Sequence, residues 1–212
     1  AEAYRYLALL ARVLIENHGL TLQQSKTRIV PIDRFREIYL REHQAREVET
    51  LSQKFYALLG QIGIRDIYET INYSNLSTAN KALIDQLNLR QLLSDQLSEE
   101  EPDLSLLRFL LRRMSQLDDV GAVELVVTNI GRLAPVVREA IQFFVKLSSL
   151  ADSDKQDVGR RLLEVYSNKN ASLSHIEYGR MYLLRPFALQ PAWHSSNALV
   201  QLYNESIDDF SR

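Results

Sequence analysis

The segment that decides the interpretation of this chain is GLTLQQSKTRI, which occupies Gly19–Ile29. Before it, apolar residues in Ala3–Asn17 recur every three or four positions, the spacing of an amphipathic helix. Gly19 stands where a helix of this kind is expected to end. The following Thr27–Val30 is rich in the β-branched residues that favour strands. The pattern therefore predicts a helix, a polar turn and a short strand.

The composition bounds the classes of protein to which the chain can belong. Its 212 residues are 46% hydrophobic and 25% charged, which suffices for a globular core. It has no cysteine, which excludes disulfides and thiolate metal sites and fits a reducing, cytoplasmic location. No apolar run approaches the ~20 residues of a membrane span. The net charge of −2 weighs against a free-standing nucleic-acid binder, and less strongly against one domain of a larger polymerase.

The middle of the chain is expected to be helical with short interruptions. The predicted elements are one long helix or two collinear helices over Asp33–Gly60, a turn at Gly60–Gly63, a short helix at Ile64–Ile71, a loop at Asn72–Asn75, and a helix over Leu76–Leu97 with Ser77 or Thr78 as its cap. The acidic stretch Ser98–Asp103 then reads as a surface loop and a candidate domain boundary.

The last hundred residues predict a series of short helices. Those expected are Leu104–Leu117, Val120–Ile130, Pro135–Leu150, Gln156–Tyr166 and Ile176–Phe187. They divide into three helix pairs, Pro102–Leu133, Ala134–Asn170 and Ala171–Asp209, of the length typical of HEAT-like α-solenoid repeats. The alternative is an irregular helical bundle, because the three units share little sequence identity.

The first forty residues resemble the end of the palm subdomain in bacterial reverse transcriptases. The resemblance rests on Gly19-Leu20 followed by Lys26-Thr27-Arg28-Ile29, and on the aromatic and leucine residues Phe35 and Tyr39-Leu40. Gln23-Gln24-Ser25 departs from the family, which often has asparagine in this turn. The helical extension is similar to that of the retron and abortive-infection enzymes of antiphage defence.

The resemblance implies a mainly α fold with a short αβ palm remnant followed by antiparallel helix pairs. Residues 1–40 would be the palm remnant, 41–101 thumb-like connecting helices, and 102–212 the α-helical repeat domain. It implies the C-terminal region of an RNA-directed DNA polymerase, a nucleotidyltransferase. That region would bind template–product nucleic acid, either single-stranded DNA or an RNA–DNA duplex, and support assembly in antiviral defence. The alternative function is a helical-repeat scaffold for protein–protein interaction.

The same resemblance assigns roles to three basic residues near the front. Lys26 would lie near the leaving pyrophosphate as an auxiliary catalytic group, where an ammonium stabilises developing charge. Arg28 or Arg34 would contact the phosphate backbone. The alternatives are a solvated lysine at a strand edge and arginines that only make the turn soluble.

The catalytic aspartates of the family do not occur in this sequence. Its aromatic-x-Asp-Asp hairpin would hold two metal ions. Here Gln116 stands in the aromatic position before Asp118-Asp119, and one of these aspartates is expected to be a helix N-cap. Mg²⁺ and an N-terminal polymerase core are therefore implied only for the parent enzyme, and this chain alone is expected to be inactive. No histidine pair has the spacing of a zinc helix, so no metal site is expected.

A basic groove is predicted in the helical extension. Arg108 and Arg112 lie one helical turn apart, next to Arg113. Arg138, Arg160 and Arg161 would extend this surface if the repeats stack, to bind a single strand. The alternative is that neighbouring acids neutralise it: Glu101, Asp103, Asp118, Glu139 and Asp157.

Tyrosines near helix ends raise one further hypothesis. Some members of the resembled group are thought to extend DNA from a protein hydroxyl, and the candidates here are Tyr73, Tyr166 and Tyr203. The ordinary alternative for each is a half-buried ring that packs against its neighbours. Assembly as a homo-oligomer is left open by the sequence.

Overall fold

The computed structural model describes residues 2–18, 31–32, 42–64, 66, 69–168, 171–194, 200 and 203–204, with side chains omitted at 2–4, 18 and 42–46. Within these ranges every regular element is helical and no strand occurs. The prediction of a mainly α protein is therefore confirmed. The chain divides into two compact units, Ala1–Ala45 and Arg46–Arg212.

The first unit contains the predicted amphipathic helix, α1, over Glu2–His18. Several of its apolar side chains are exposed, among them Tyr6, Leu9, Leu10 and Val13. The predicted turn and strand that follow, together with Lys26, Arg28 and Arg34, lie outside the residues that the structure describes.

Helix α2 spans Glu42–Gln61 and buries Phe55 and Leu59 in the core of the second unit. The predicted turn after it is confirmed, because Gly63 adopts a φ of +83° that favours glycine. The helix predicted over Ile64–Ile71 is wrong, since the described residues of this stretch are not helical. The Ile71 amide instead donates to the Gln116 carbonyl at 2.7 Å. A tertiary hydrogen bond thus satisfies a donor that a helix would have used.

The helix predicted over Leu76–Leu97 is two helices, α3 at Thr78–Asp85 and α4 at Leu89–Ser98. A 3₁₀ turn, Tyr73–Asn75, precedes α3. The cap prediction is confirmed, because the Ser77 hydroxyl accepts from the Asn80 amide at 3.2 Å. Asn88 breaks the helix with a left-handed φ of +50°, which asparagine tolerates better than most residues.

Five further α-helices follow at the positions that the periodicity predicts. They are α5 Leu104–Gln116, α6 Val123–Thr128, α7 Val137–Lys146, α8 Asp152–Ser167 and α9 Glu177–Leu189. Short 3₁₀ turns lie between or after them at Val120–Ala122, Ala134–Val136, Ser172–His175 and Pro191–Trp193.

Alternate helices of this series pack against each other. Helix α5 packs against α7, and α7 against α9, while α8 contacts both α6 and α9. Leu107 and Leu110 of α5 and Phe143 and Phe144 of α7 are fully buried. Helix α4 also packs against α5, so the core continues past the acidic loop that joins them.

The final 3₁₀ turn packs against α8 and α9, and it contains the only tryptophan of the sequence. Trp193 is 1% exposed. A Cβ atom at Gly159 of α8 would lie 1.9 Å from the Trp193 carbonyl oxygen. The close approach of these two backbone segments therefore requires glycine at this position.

Candidate nucleic-acid interface

A charged pair connects α5 to α7 across their exposed sides. The Arg112 guanidinium donates to the Glu139 carboxylate at 2.8 Å, and the two side chains are 58% and 7% exposed. Arg108 lies one turn before Arg112 on the same side of α5. The buried carboxylate therefore holds Arg112 at the surface between two helices, with Arg108 beside it.

A second set of contacts connects α7 to α9. Arg138, exposed on α7, lies close enough to Tyr178 of α9 to lower its pKa. Burial and a hydrogen bond with Tyr182 outweigh this effect, so that the pKa of Tyr178 is raised overall. The two tyrosine rings lie 4.7 Å apart at an angle of 55°, and the Arg185 guanidinium carbon lies 5.8 Å from the Tyr182 ring.

We call the set of arginines on these three helices the arginine ribbon: Arg108, Arg112, Arg138 and Arg185, with Tyr178 among them. Three adjacent helices contribute to it. Within the described residues, no carboxylate forms an ion pair with Arg108, Arg138 or Arg185. Even with the exposed Glu177 beside Tyr178, cations outnumber carboxylates at this surface. Such a surface can bind an anionic polymer.

Most of the carboxylates that could have neutralised this surface are engaged elsewhere. Asp103 caps α5 by accepting from the amides of Ser105 and Leu106. Asp157 pairs with Arg160, next to it on α8. Of the predicted acids, Glu139 is the one that forms a described ion pair with the ribbon.

Two of the arginines predicted to extend the surface do not belong to it. Arg160 pairs with Asp157 and Glu164 on its own helix. Arg161 reaches across to α6, where it donates to Glu124 at 2.7 Å. The partners of Arg160 are close in sequence and could have been recognised from their spacing, whereas Glu124 lies 37 residues from Arg161.

Arg113 also does not belong to the predicted surface, because its guanidinium contacts aromatic rings of the core. Its guanidinium carbon lies 5.3, 5.2 and 5.5 Å from the ring centres of Phe55, Tyr56 and Phe109. It also donates to the Gln116 amide oxygen at 2.7 Å. Arg113 therefore joins α2 to α5 by cation–π contacts.

The two adjacent aspartates after α5 have structural partners, and the prediction that one is a helix N-cap is confirmed in position by Asp119, although its side chain forms no cap hydrogen bond. Asp119 precedes the Val120–Ala122 turn, but its carboxylate accepts from Arg90 Nε at 2.9 and 3.0 Å. Asp118 has a left-handed φ of +51° and accepts from the amides and hydroxyls of Ser148 and Ser149. No group of three or more potential metal ligands occurs among the described residues.

A cavity of 310 Å³ lies beside Asp119, at the start of α4. Its polar lining includes Tyr73, Asp85, Arg90 and Asp119, and these groups already bind each other. The Tyr73 hydroxyl donates to Asp85 at 2.7 Å, and burial together with this bond raises the pKa of Tyr73. These four polar groups are therefore already paired with one another.

The other tyrosines considered for priming lie in different settings. Tyr166 on α8 is buried, and its hydroxyl accepts from Arg180 at 2.7 Å. Tyr203 is exposed.

The residues of the ribbon that sequence reasoning missed are Tyr178 and Arg185. Their spacing around Tyr182, at i, i+4 and i+7, could have placed them on one face of α9.

No protein family, curated protein or solved structure matches this chain. The likeness to reverse transcriptases therefore depends on the sequence pattern alone. In the part of the chain that the structure describes, no helix is both long and apolar enough to cross a membrane.

Proposed function

We propose that the helical part of this chain binds nucleic acid through the arginine ribbon, as the thumb-like region of an RNA-directed DNA polymerase of antiphage defence. The observation that carries the proposal is the ribbon itself. Three adjacent helices bring together four arginines, three of which have no carboxylate in an ion pair within the described residues. Unpaired surface guanidinium groups favour phosphate contacts, because they lose no existing ion pair on binding.

The packing of the helices supports the interpretation of this region as a HEAT-like solenoid. In such solenoids, equivalent helices of successive pairs stack on each other. Helices α5, α7 and α9 follow this order, and α6 contacts α8. The ribbon would then run along the first helices of three successive repeats, so that one extended ligand could contact all of them.

The first unit is proposed to be the palm remnant of the same polymerase. The exposed apolar side chains of α1, including Leu9, Leu10 and Val13, would pack against the polymerase core that carries the catalytic aspartates and Mg²⁺. Lys26 would assist catalysis there, and Arg28 or Arg34 would contact the phosphate backbone of the nucleic acid. This chain by itself would bind product in the cytoplasm without synthesising it.

The salt dependence of binding tests the proposal. A fluorescently labelled single-stranded oligonucleotide is titrated by anisotropy from about 50 to 200 mM salt. Three phosphate contacts predict a slope of about −2 for log K against log salt, and Arg138→Gln should reduce its magnitude by about 0.7. The control is Arg160→Gln, because Arg160 is also exposed but already paired. Absence of binding at low salt, or equal losses in both variants, would refute the proposal.

A protein-binding scaffold is the second candidate, favoured by apolar side chains beside the ribbon. Ile176, Tyr178 and Met181 are all exposed at the start of α9, and tyrosine, methionine and arginine are enriched at interfaces. If the partner is a second copy, sedimentation equilibrium should show a dimer that Met181→Glu dissociates. A monomeric protein that binds oligonucleotides would exclude this form of the scaffold.

A further inference from the structure

We propose that the arginine ribbon selects single-stranded nucleic acid over duplex, because one unpaired base stacks on the ring of Tyr178. This inference depends on the function proposed above and specifies its ligand. It is drawn from the way Tyr178 is held and from the arginines near it.

The Tyr178 ring is both accessible and supported. It is 50% exposed, whereas the Tyr182 ring that it contacts at 4.7 Å is 8% exposed. A ring that is already ordered loses little rotamer entropy when a ligand stacks on it, which favours its use as a binding platform.

Two arginines on different helices lie near this platform. Arg138 of α7 is close enough to act on Tyr178, as is the buried Glu139, whose carboxylate is paired with Arg112. Arg185 lies two turns after Tyr178 on α9, with its guanidinium carbon 5.8 Å from the Tyr182 ring. A base stacked on Tyr178 would therefore have its flanking phosphates close to guanidinium groups of two different helices. Stacking of bases on aromatic rings combined with a cationic track is the usual mode of binding to single strands.

A duplex cannot use this platform in the same way. Both faces of each base within a double helix are covered by neighbouring bases, so the ring of Tyr178 could be reached only after unstacking, which costs several kcal/mol. Duplex would then bind through phosphate contacts alone. The preference for a single strand should consequently depend on Tyr178, whereas the salt dependence should depend on the arginines.

The test measures the affinity of a single-stranded oligonucleotide and of its duplex for the wild-type protein, for Tyr178→Leu and for Tyr178→Phe. Tyr178→Leu should weaken single-strand binding about tenfold and leave duplex binding unchanged. Tyr178→Phe should retain most of the wild-type affinity for the single strand, because it keeps the ring. Tyr203→Leu, at another exposed tyrosine, is the control. Fluorescence of the buried Trp193 verifies folding of each variant.

Photocrosslinking of wild-type protein to an oligonucleotide containing 5-iodouracil gives a result that needs no variant. We expect an adduct at Tyr178 when the products are mapped by mass spectrometry. Adducts only at other residues, equal affinity for single strand and duplex, or equal loss of both in Tyr178→Leu would overturn this inference while the proposed function stood. Failure of the wild-type protein to bind either nucleic acid would overturn both.

Discussion

Replacing Asp118 with asparagine tests the junction between the end of α5 and the segment after α7. The Asp118 carboxylate is buried and receives four donors: the Ser148 amide at 2.7 Å, its hydroxyl at 2.6 Å, the Ser149 amide at 3.0 Å and its hydroxyl at 2.5 Å. Asparagine suits the left-handed backbone of this position, so the substitution changes the charge and the acceptors with little effect on φ.

The expected loss in the free energy of unfolding is about 2 kcal/mol, the value of one hydrogen bond to a charged group. The asparagine oxygen can still accept from the amides, and the serine hydroxyls can turn to accept from its NH₂ group, so the loss should not reach the sum of four bonds. For a unit of this size, 2 kcal/mol lowers Tm by about 4–8 °C.

The effect should also depend on pH. Burial acts to raise the pKa of Asp118, but the hydrogen bonds from Ser148 and Ser149 outweigh it and lower the pKa below its ordinary value. A carboxylate with a lowered pKa in the folded state stabilises the protein above about pH 4 and loses this contribution as the pH falls through the folded pKa. The difference between wild type and Asp118→Asn should therefore shrink below about pH 4.

Urea denaturation followed by Trp193 fluorescence measures both effects, because this single tryptophan is buried in the same unit. The matched control is Asp157→Asn, which removes an exposed carboxylate paired with Arg160 and should cost less than about 1 kcal/mol. Equal stability of Asp118→Asn and wild type at pH 7, or a difference that persists unchanged in acid, would refute the reasoning.

Two substitutions in the core of the second unit have matched controls. Gly159→Ala should lower the free energy of unfolding by about 1–3 kcal/mol, because its Cβ would meet the Trp193 carbonyl. Gly60→Ala is the control and should be neutral or stabilising, because a Cβ there has nothing within 4 Å. Equal stabilities of the two variants in urea would contradict the clash. Arg113→Lys should cost about 1–2 kcal/mol through loss of the planar contacts with three rings. Arg108→Lys on the same helix should change thermal stability little, and an equal fall in Tm for both would argue against the ring contacts.

Periodicity alone predicted most of the helices, and it failed where the chain is governed by distant partners. Helices α1, α5 and α8 have enough apolar residues at helical spacing to be recognised in isolation. The stretch Ile64–Ile71 has similar apolar content, but the Ile71 amide binds the end of α5 instead of forming a helical turn. Local propensity is a weak prior that such tertiary contacts override.

For the candidate interface, the sequence identified Arg108, Arg112 and Arg138 as basic residues that could share a surface. The acids that pair with Arg160 lie three and four residues away on α8, so its pairing could have been predicted from their spacing. The pairing of Arg161 with Glu124 could not, because it depends on the packing of α8 against α6. Sequence reasoning also missed Tyr178 and Arg185, whose importance arises only when α9 lies beside α7.

The sequence by itself therefore determined the helical class of this protein and the approximate limits of its helices, since apolar spacing and caps act over a few residues. The tertiary structure alone decided the contacts of those charges whose partners are distant in sequence. Arg112 meets Glu139 because α5 packs against α7, and Arg113 meets Phe55 and Tyr56 because α2 lies beside α5.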